Sequence, residues 1–184
     1  MRDLPRDVTL RAEAAGEADD VRRLVIEAFD DPVLGDLLGS LRASRAWIDG
    51  LSYVAESNGA LVGQVLFTQS LLDAPKRLVD VLVLSPLGVL PAYQGRGIGS
   101  ALVRYGLEQV HERPEPLVFV EGSPAYYSRL GFEAGGPLEL RRPSLRIPPA
   151  AFQVMRLPSY EPWMTGTLVY AEPWWRHDCV GLRG

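Results

Sequence analysis

The sequence predicts a single mixed α/β domain, a central sheet with helices on its faces. Three observations predict it. The apolar period alternates between strand-like and helix-like segments in the order β, α, α, β, β, β, α, β, α, β, β. An Asn58-Gly59 pair joins two β-compatible runs, a strong hairpin signal. A length of 184 residues, with 47% hydrophobic and 23% charged side chains, suits one globular unit with a sizeable core.

Each element follows from its own residues. Val8, Thr9, Leu10, Arg11 and Ala12 alternate in polarity and predict the first strand. Residues 17–29 place Val21, Leu24, Val25, Ala28 and Phe29 on one helical stripe. Pro32 disfavours helical geometry at Asp31 and closes that helix; a second is expected over residues 33–47. Strands at 52–56 and 61–67 flank the Asn-Gly turn as an antiparallel hairpin. A β run over 78–84 continues through Ser85 and Pro86 towards Val89, and the proline predicts an interruption or a sheet edge. Ile98, Ala101, Leu102, Tyr105 and Val110 share helical spacing across 98–111. Residues 117–121 read as a buried strand, and 124–130 as a short helix ended by Gly131, with an extended piece from Phe132. Pro137, Pro143, Pro148 and Pro149 mark a loop over 136–149, and late strands are expected at 152–157 and 167–171.

Composition excludes several classes. A net charge of -4 speaks against a general nucleic-acid binder. The single cysteine, Cys179, rules out an intrachain disulfide, and His111 and His177 alone supply no zinc-ligand pattern, so no metal is expected. Apolar runs fall far short of the ~18 residues of a membrane span. Residues 1–7 carry mixed charge without the layout of a secretory signal, so a cytoplasmic protein is expected. Residues 1–60 hold 12 acids and 7 bases, whereas 61–184 hold 11 acids and 12 bases, which favours an anionic ligand on the later part.

The segment Gly88-Val89-Leu90-Pro91-Ala92-Tyr93-Gln94-Gly95-Arg96-Gly97-Ile98-Gly99-Ser100 joins a strand end, a glycine-rich turn and a helix start. Glycines let the backbone approach a ligand closely, and the N–H groups of a helix's first turn attract an anion. The natural guest is a phosphate or pyrophosphate; the alternative is a tight turn that packs helix on sheet. A P-loop fails, because no Gly-Lys-Ser/Thr closes the segment. A dinucleotide fingerprint fits poorly: the glycines run G-x-G-x-G, and residues 90–94 separate them from the strand. Glu121 keeps that reading open, since it lies 22 residues beyond Gly99 at a strand end, where a ribose-binding acid belongs.

Val89-Leu90-Pro91 followed by Gln94-Gly95-Arg96-Gly97-Ile98-Gly99-Ser100-Ala101-Leu102 closely resembles the acyl-CoA-binding motif of the GNAT superfamily of N-acyltransferases, V-x-P-x-x-(Q/R)-G-x-G-(I/L)-G-x-x-L. Ala125-Tyr126-Tyr127-Ser128-Arg129-Leu130-Gly131-Phe132 resembles the family's Y-x-(K/R)-x-G-F segment. The ending, Ala151-Phe152-Gln153-Val154 with Gly166-Thr167-Leu168-Val169-Tyr170, looks like a YhbS-like bacterial subgroup, so the resemblance spans nearly the whole chain. It implies a mostly antiparallel central sheet with a splayed strand pair. The pantetheine arm of acetyl-CoA would pair along Leu87, Gly88 and Val89. The pyrophosphate would rest on backbone N–H groups of Gln94, Gly95, Arg96, Gly97, Ile98, Gly99 and Ser100. Arg96 and Arg129 would add positive charge, or else be solvated surface arginines.

The resemblance also implies roles for side chains. Tyr127 occupies the position of the tyrosine that protonates the departing thiolate, and Tyr126 packs in the core; the alternative is that Tyr127 only packs against the cofactor. A phenol suits the acid's role, with a pKa of roughly 10 against roughly 8.5 for a thiol. Glu121 is the first candidate for the base that deprotonates the amine, ahead of Asp80 and Ser85, although a strand-end glutamate is often solvated or structural. Many members carry Asn before the short helix; this chain has Glu121-Gly122-Ser123-Pro124, with Ser123 as a weak substitute. Asp30 and Asp31 either attract a cationic amine or are solvated helix-end acids, and Trp163, Trp174 and Trp175 suit core packing or a homodimer surface. The implied reaction is direct acetyl transfer from acetyl-CoA to a primary amine, with a small-molecule acceptor preferred. The rivals are a protein N-terminus or lysine as acceptor, and a regulatory module that binds acyl-CoA without turnover. No nucleic-acid or membrane partner is expected.

Overall fold

A computed structural model describes residues 4–181. Met1, Arg2 and Asp3, part of the N-terminal charge pattern, lie outside the described residues. The strands are β1 (Val8–Ala12), β2 (Ser52–Ser57), β3 (Ala60–Asp73), β4 (Leu78–Val89), β5 (Leu117–Glu121), β6 (Glu133–Ala134), β7 (Leu140–Arg141), β8 (Phe152–Arg156) and β9 (Gly166–Val169). The helices are α1 (Ala18–Phe29), α2 (Pro32–Arg42), α3 (Ile98–Val110), α4 (Pro124–Tyr127) and α5 (Glu172–Arg176). The strands form a mixed, open sheet in the order β1-β2-β3-β4-β5-β8-β6, with β9 pairing β3 and β7. It is mostly antiparallel, with parallel pairing at β4–β5 and β7–β9. The described residues divide into two compact units, 4–67 with 85–110 and 68–84 with 111–181, and β3 and β4 contribute to both.

In the first unit the expected hairpin forms. Asn58 and Gly59 take φ of 50° and 80°, the positive values a two-residue hairpin turn demands of both central positions. α3 lies on β2 and β3 through two glycines. A Cβ at Gly106 would sit 2.3 Å from Phe67 Cε2, and one at Gly63 would sit 3.0 Å from Leu102 Cδ1. Tyr53 packs edge-on against Phe67 and Tyr105, with centroids 6.2 and 5.4 Å apart. α2 stops at Arg42 rather than near residue 47. Ser44 Oγ donates to the Leu41 carbonyl and accepts from Ala46 N, offering the backbone a turn in place of another helical round.

β4 runs unbroken through Pro86, against the expected interruption, and the Ser85–Pro86 peptide is cis. The β4–β5 register comprises Leu82↔Val118 and Val83↔Phe119, so Pro86 lies beyond the β5 ladder. β4 is an interior strand between β3 and β5, and the proline's missing N–H costs this β5 register nothing. β3 also outruns its expected end at residue 67. Its second half pairs β9 through Leu71↔Val169, Leu72↔Leu168 and Asp73↔Thr167 in the second unit. That unit's core includes Phe119 stacked on Phe152 at 5.4 Å, with Ile147, Val154 and Val180 fully buried. The strand expected through residue 171 ends at Val169, and α5 begins with Pro173 in its first turn, a favoured place for proline.

One electrostatic cluster ties the first unit together. Arg11 bonds Glu17 at 2.6 Å and Glu56 at 2.7 Å, and Glu17 also accepts from Ala14 N at 2.7 Å. The Arg11 bonds first, then the Ala14 N–H, hold the Glu17 carboxyl down at about 2 from its usual 4.5. A carboxylate with a depressed folded pKa stabilises the protein above its unfolded pKa and loses that contribution as pH falls through the folded value. Glu17→Gln is therefore expected to lower the urea midpoint near neutrality. The gap from the unsubstituted protein should close as pH falls from about 4.5 towards about 2. A gap that stays constant across that window would show that Glu17 acts by packing alone.

Candidate active site

The glycine-rich segment forms the turn from β4 into α3. Gly95 and Gly97 take φ of 72° and 87°, a region that L side chains rarely enter. The first bond of the α3 ladder runs from Ala101 N to the Gly97 carbonyl at 3.0 Å, so the N–H groups of Ile98, Gly99 and Ser100 precede the helix's own acceptors. Those donors lie at the positive end of a 13-residue helix, an arrangement that can attract an anion. Gln94 Nε2 donates to the Val89 carbonyl at 3.0 Å, closing the turn onto the end of β4. Exposed Arg96 donates to the Ala92 carbonyl at 2.9 Å and stacks over Tyr93. Leu87, Gly88 and Val89 end β4 past its β5 register. Gly88 packs closely under α1: a Cβ there would meet Ala28 at 3.2 Å and Phe29 at 3.3 Å.

In the second unit, Tyr127 ends α4 and is 8% exposed. Its ring lies against Gly122, where a Cβ would come within 2.4 Å of Cε2, and edge-on to Tyr126 and Phe132 at 4.9 and 5.5 Å. Burial, with Tyr126 adding a smaller effect, pushes the Tyr127 phenol well above 10, so it stays protonated at physiological pH. Gly131, at φ 95°, ends the turn that carries Arg129, which is exposed and has no ion pair among the described residues.

Glu121 closes β5 and is half-buried. Its Oε1 accepts from the Tyr170 hydroxyl at 2.5 Å and its Oε2 from Gly181 N at 3.2 Å. Burial raises its pKa, opposed first by the Tyr170 bond, then by the Gly181 N–H and by Arg146. Asp80, by contrast, is exposed and accepts from Gln69 at 2.7 Å, and Ser85 is half-buried on β4. Asp31 caps α2 by accepting from Val33 N at 2.9 Å. That structural task was legible in the Asp31-Pro32 pair, since Asp at the cap and Pro at the first helical position is a common helix start. Trp174 is buried against Tyr170, and Trp163 stacks under Lys76.

The sequence pattern of the Acetyltransferase (GNAT) domain matches residues 9–135, from β1 through Tyr127 to the end of β6. The chain belongs to the GNAT acetyltransferase family. The N-acetyltransferase YjhQ of Escherichia coli is 36% identical over 117 residues, 64% of this chain and 65% of YjhQ. YhbS of Escherichia coli is 31% identical over 150 residues, 80% of this chain and 86% of YhbS. The crystal structure of YhbS in complex with CoA superposes with a TM-score of 0.81 at 28% identity, covering 95% of each chain. A GNAT acetyltransferase of Brucella melitensis in complex with acetyl-CoA gives a TM-score of 0.72 at 28% identity, over 91% of this chain and 97% of that one.

For a GNAT acetyltransferase, the residues that sequence reasoning missed lie beyond the matched pattern. Tyr170 and Gly181 hold Glu121, yet they stand 49 and 60 residues away from it in the chain, and no local period connects them. Among the described residues there is no cluster of His, Cys, Asp and Glu that could hold a metal ion. Among the described residues no helix is long and apolar enough to cross a membrane.

Proposed function

We propose that this chain acts as one GNAT domain that transfers an acetyl group from acetyl-CoA directly to the primary amine of a small molecule. The carrying observation is the anion cradle, in which two left-handed glycines feed a helix whose leading N–H groups lie ahead of its own ladder. It suits a pyrophosphate, and Arg96, folded back over Tyr93 beside the cradle, adds positive charge. The CoA and acetyl-CoA complexes of the YhbS and Brucella melitensis proteins support the same donor here.

Each residue then has a defined task. Leu87, Gly88 and Val89 offer a strand edge to the pantetheine amides. The Val89 carbonyl, already accepting from Gln94, keeps a second lone pair for that purpose. Arg129, exposed and without an ion pair among the described residues, is the second cation that the family resemblance assigns to the donor's phosphates. Glu121 takes the proton of the incoming amine, because only the neutral amine can form the new N–C bond. As the C–S bond breaks, Tyr127 donates a hydrogen bond that stabilises the developing negative charge on sulfur. A thiolate of pKa roughly 8.5 is a weaker base than a buried phenolate, so the phenol keeps its proton and the thiolate takes one from solvent as CoA leaves. Glu121 is half-buried beside enclosed Tyr170, which favours an acceptor small enough to reach it over a lysine on a folded protein.

The test is calorimetric titration with acetyl-CoA, followed by thiol release with a diamine, an amino sugar, an amino acid amide, and lysine and N-terminal peptides. Binding with release dependent on a small amine is expected. Release with peptides alone would replace the small-molecule acceptor, and binding without release from any acceptor would favour a regulatory module. Absence of binding would overturn the donor assignment.

A further inference from the structure

We propose that Tyr170 is a positioning residue for acetyl transfer, its hydroxyl fixing the Glu121 carboxylate while the C-terminal strap holds the second oxygen. The inference rests on the reading of Glu121 as the base.

The geometry supports it on three counts. First, each carboxylate oxygen has one donor, Tyr170 Oη at 2.5 Å on Oε1 and Gly181 N at 3.2 Å on Oε2. A carboxylate accepts about four hydrogen bonds, so lone pairs remain for an amine proton. Second, Glu121 has no ion pair among the described residues. Arg146, the nearest influence of opposite charge, is bonded to Asp178 at 2.6 Å. The charge is therefore held chiefly by neutral donors, which leaves it available to accept a proton.

Third, both donors are themselves held in place. Tyr170 is 6% exposed, its ring lies 5.8 Å from that of Trp174, and its carbonyl accepts from Trp175 Nε1. The β3–β9 register holds Val169, the residue before it, against Leu71. Gly181 takes φ 83° and lies so close to Arg146 that a Cβ would come within 2.6 Å of the arginine's Cβ and 2.9 Å of its carbonyl carbon. Val180 beside it is fully buried and pins the strap.

A carboxylate that merely glued the strap down would give the same contacts, so the test must read proton affinity. The titratable and charged groups around Glu121 are Tyr170 from the end of β9, Arg146 with Asp178 from the loop and strap, and Tyr127, whose ring covers neighbouring Gly122. Tyr170→Phe removes the largest force opposing burial, so the Glu121 carboxyl should hold its proton to higher pH. With acetyl-CoA and the fastest small amine, the loss in kcat/KM at about pH 6 should exceed that at about pH 9 several-fold, with acetyl-CoA affinity unchanged. Incorporating 3-fluorotyrosine in place of Tyr170, a stronger donor that preserves the fold, should move the acidic limb the opposite way.

Carbon-13 NMR of the Glu121 carboxyl in the full-length protein reads the same quantity without turnover. Its midpoint should rise in Tyr170→Phe and fall with 3-fluorotyrosine; a midpoint unmoved by both overturns the positioning role. Glu121→Gln separates the two readings. Retention of full turnover and the same acidic limb would overturn both the base assignment and the positioning role, even if the NMR midpoint moves. Loss of the limb in Glu121→Gln, with the midpoint shifted in the Tyr170 variants, supports both.

Discussion

Tyr127→Phe is expected to slow acetyl transfer by about 100-fold or more, the usual worth of a positioned hydrogen-bond donor to developing charge, while acetyl-CoA affinity and fold stability stay near their original values. The split between turnover and binding follows from what the ring touches. Its packing on Gly122, Tyr126 and Phe132 is made by carbon atoms that phenylalanine keeps. Only the hydroxyl is lost. Because burial holds the phenol protonated across the physiological range, the activity of the parent protein should show no alkaline limb from Tyr127 below its ordinary value of 10. Single-turnover thiol release beside calorimetric titration checks both halves. Unchanged turnover would remove Tyr127 from the chemistry and leave it a packing residue. Turnover and affinity falling together would instead assign it to donor binding.

The glycine-rich turn into α3 was legible because its signal is local. The left-handed turn at Asn58 and Gly59 shows the same rule, since a two-residue hairpin demands positive φ and that pair tolerates it. β5 matches its expected bounds of 117–121 because a continuous apolar run in a sheet centre needs no partner information. Tyr170 was illegible for the opposite reason. Sequence periodicity placed it inside a strand, but β9 ends at Val169, and its partner lies 49 residues away on β5. Pro86 shows an intermediate case. The residue type announced a constraint on pairing, and only the sheet register shows where the missing N–H costs nothing. Asp31 was read as either an attractor of a cationic amine or a solvated helix-end acid, and the 2.9 Å bond from Val33 N gives it a third task, the cap of α2.

Gly166→Ala is expected to cost about 3 kcal/mol, near the upper end for one substitution and well beyond a surface change. Gly166 opens β9 at φ 134°, a conformation L residues rarely adopt, and a Cβ there would sit 2.0 Å from the Asp73 carbonyl oxygen and 3.1 Å from Ala74 Cα. Those obstacles are backbone, so no side chain can rotate away; the end of β3 or the start of β9 must move. Strain of about 1–3 kcal/mol from the dihedral adds to that displacement. For a chain of this length the loss corresponds to a drop in Tm of about 6–12 °C. The same move would disturb Asp73↔Thr167 and the register that leads to Tyr170, so activity at low pH should fall further than activity at high pH. Gly39→Ala is the control. It lies exposed in α2 with nothing within 4 Å of a new Cβ, and is expected to raise stability by up to about 1 kcal/mol through helix propensity. If Gly166→Ala melted within about 2 °C of the parent, a shift worth under about 1 kcal/mol at this size, the tight β3–β9 junction would not hold in solution. The route from that junction through Tyr170 to Glu121 would then lose its rigid support.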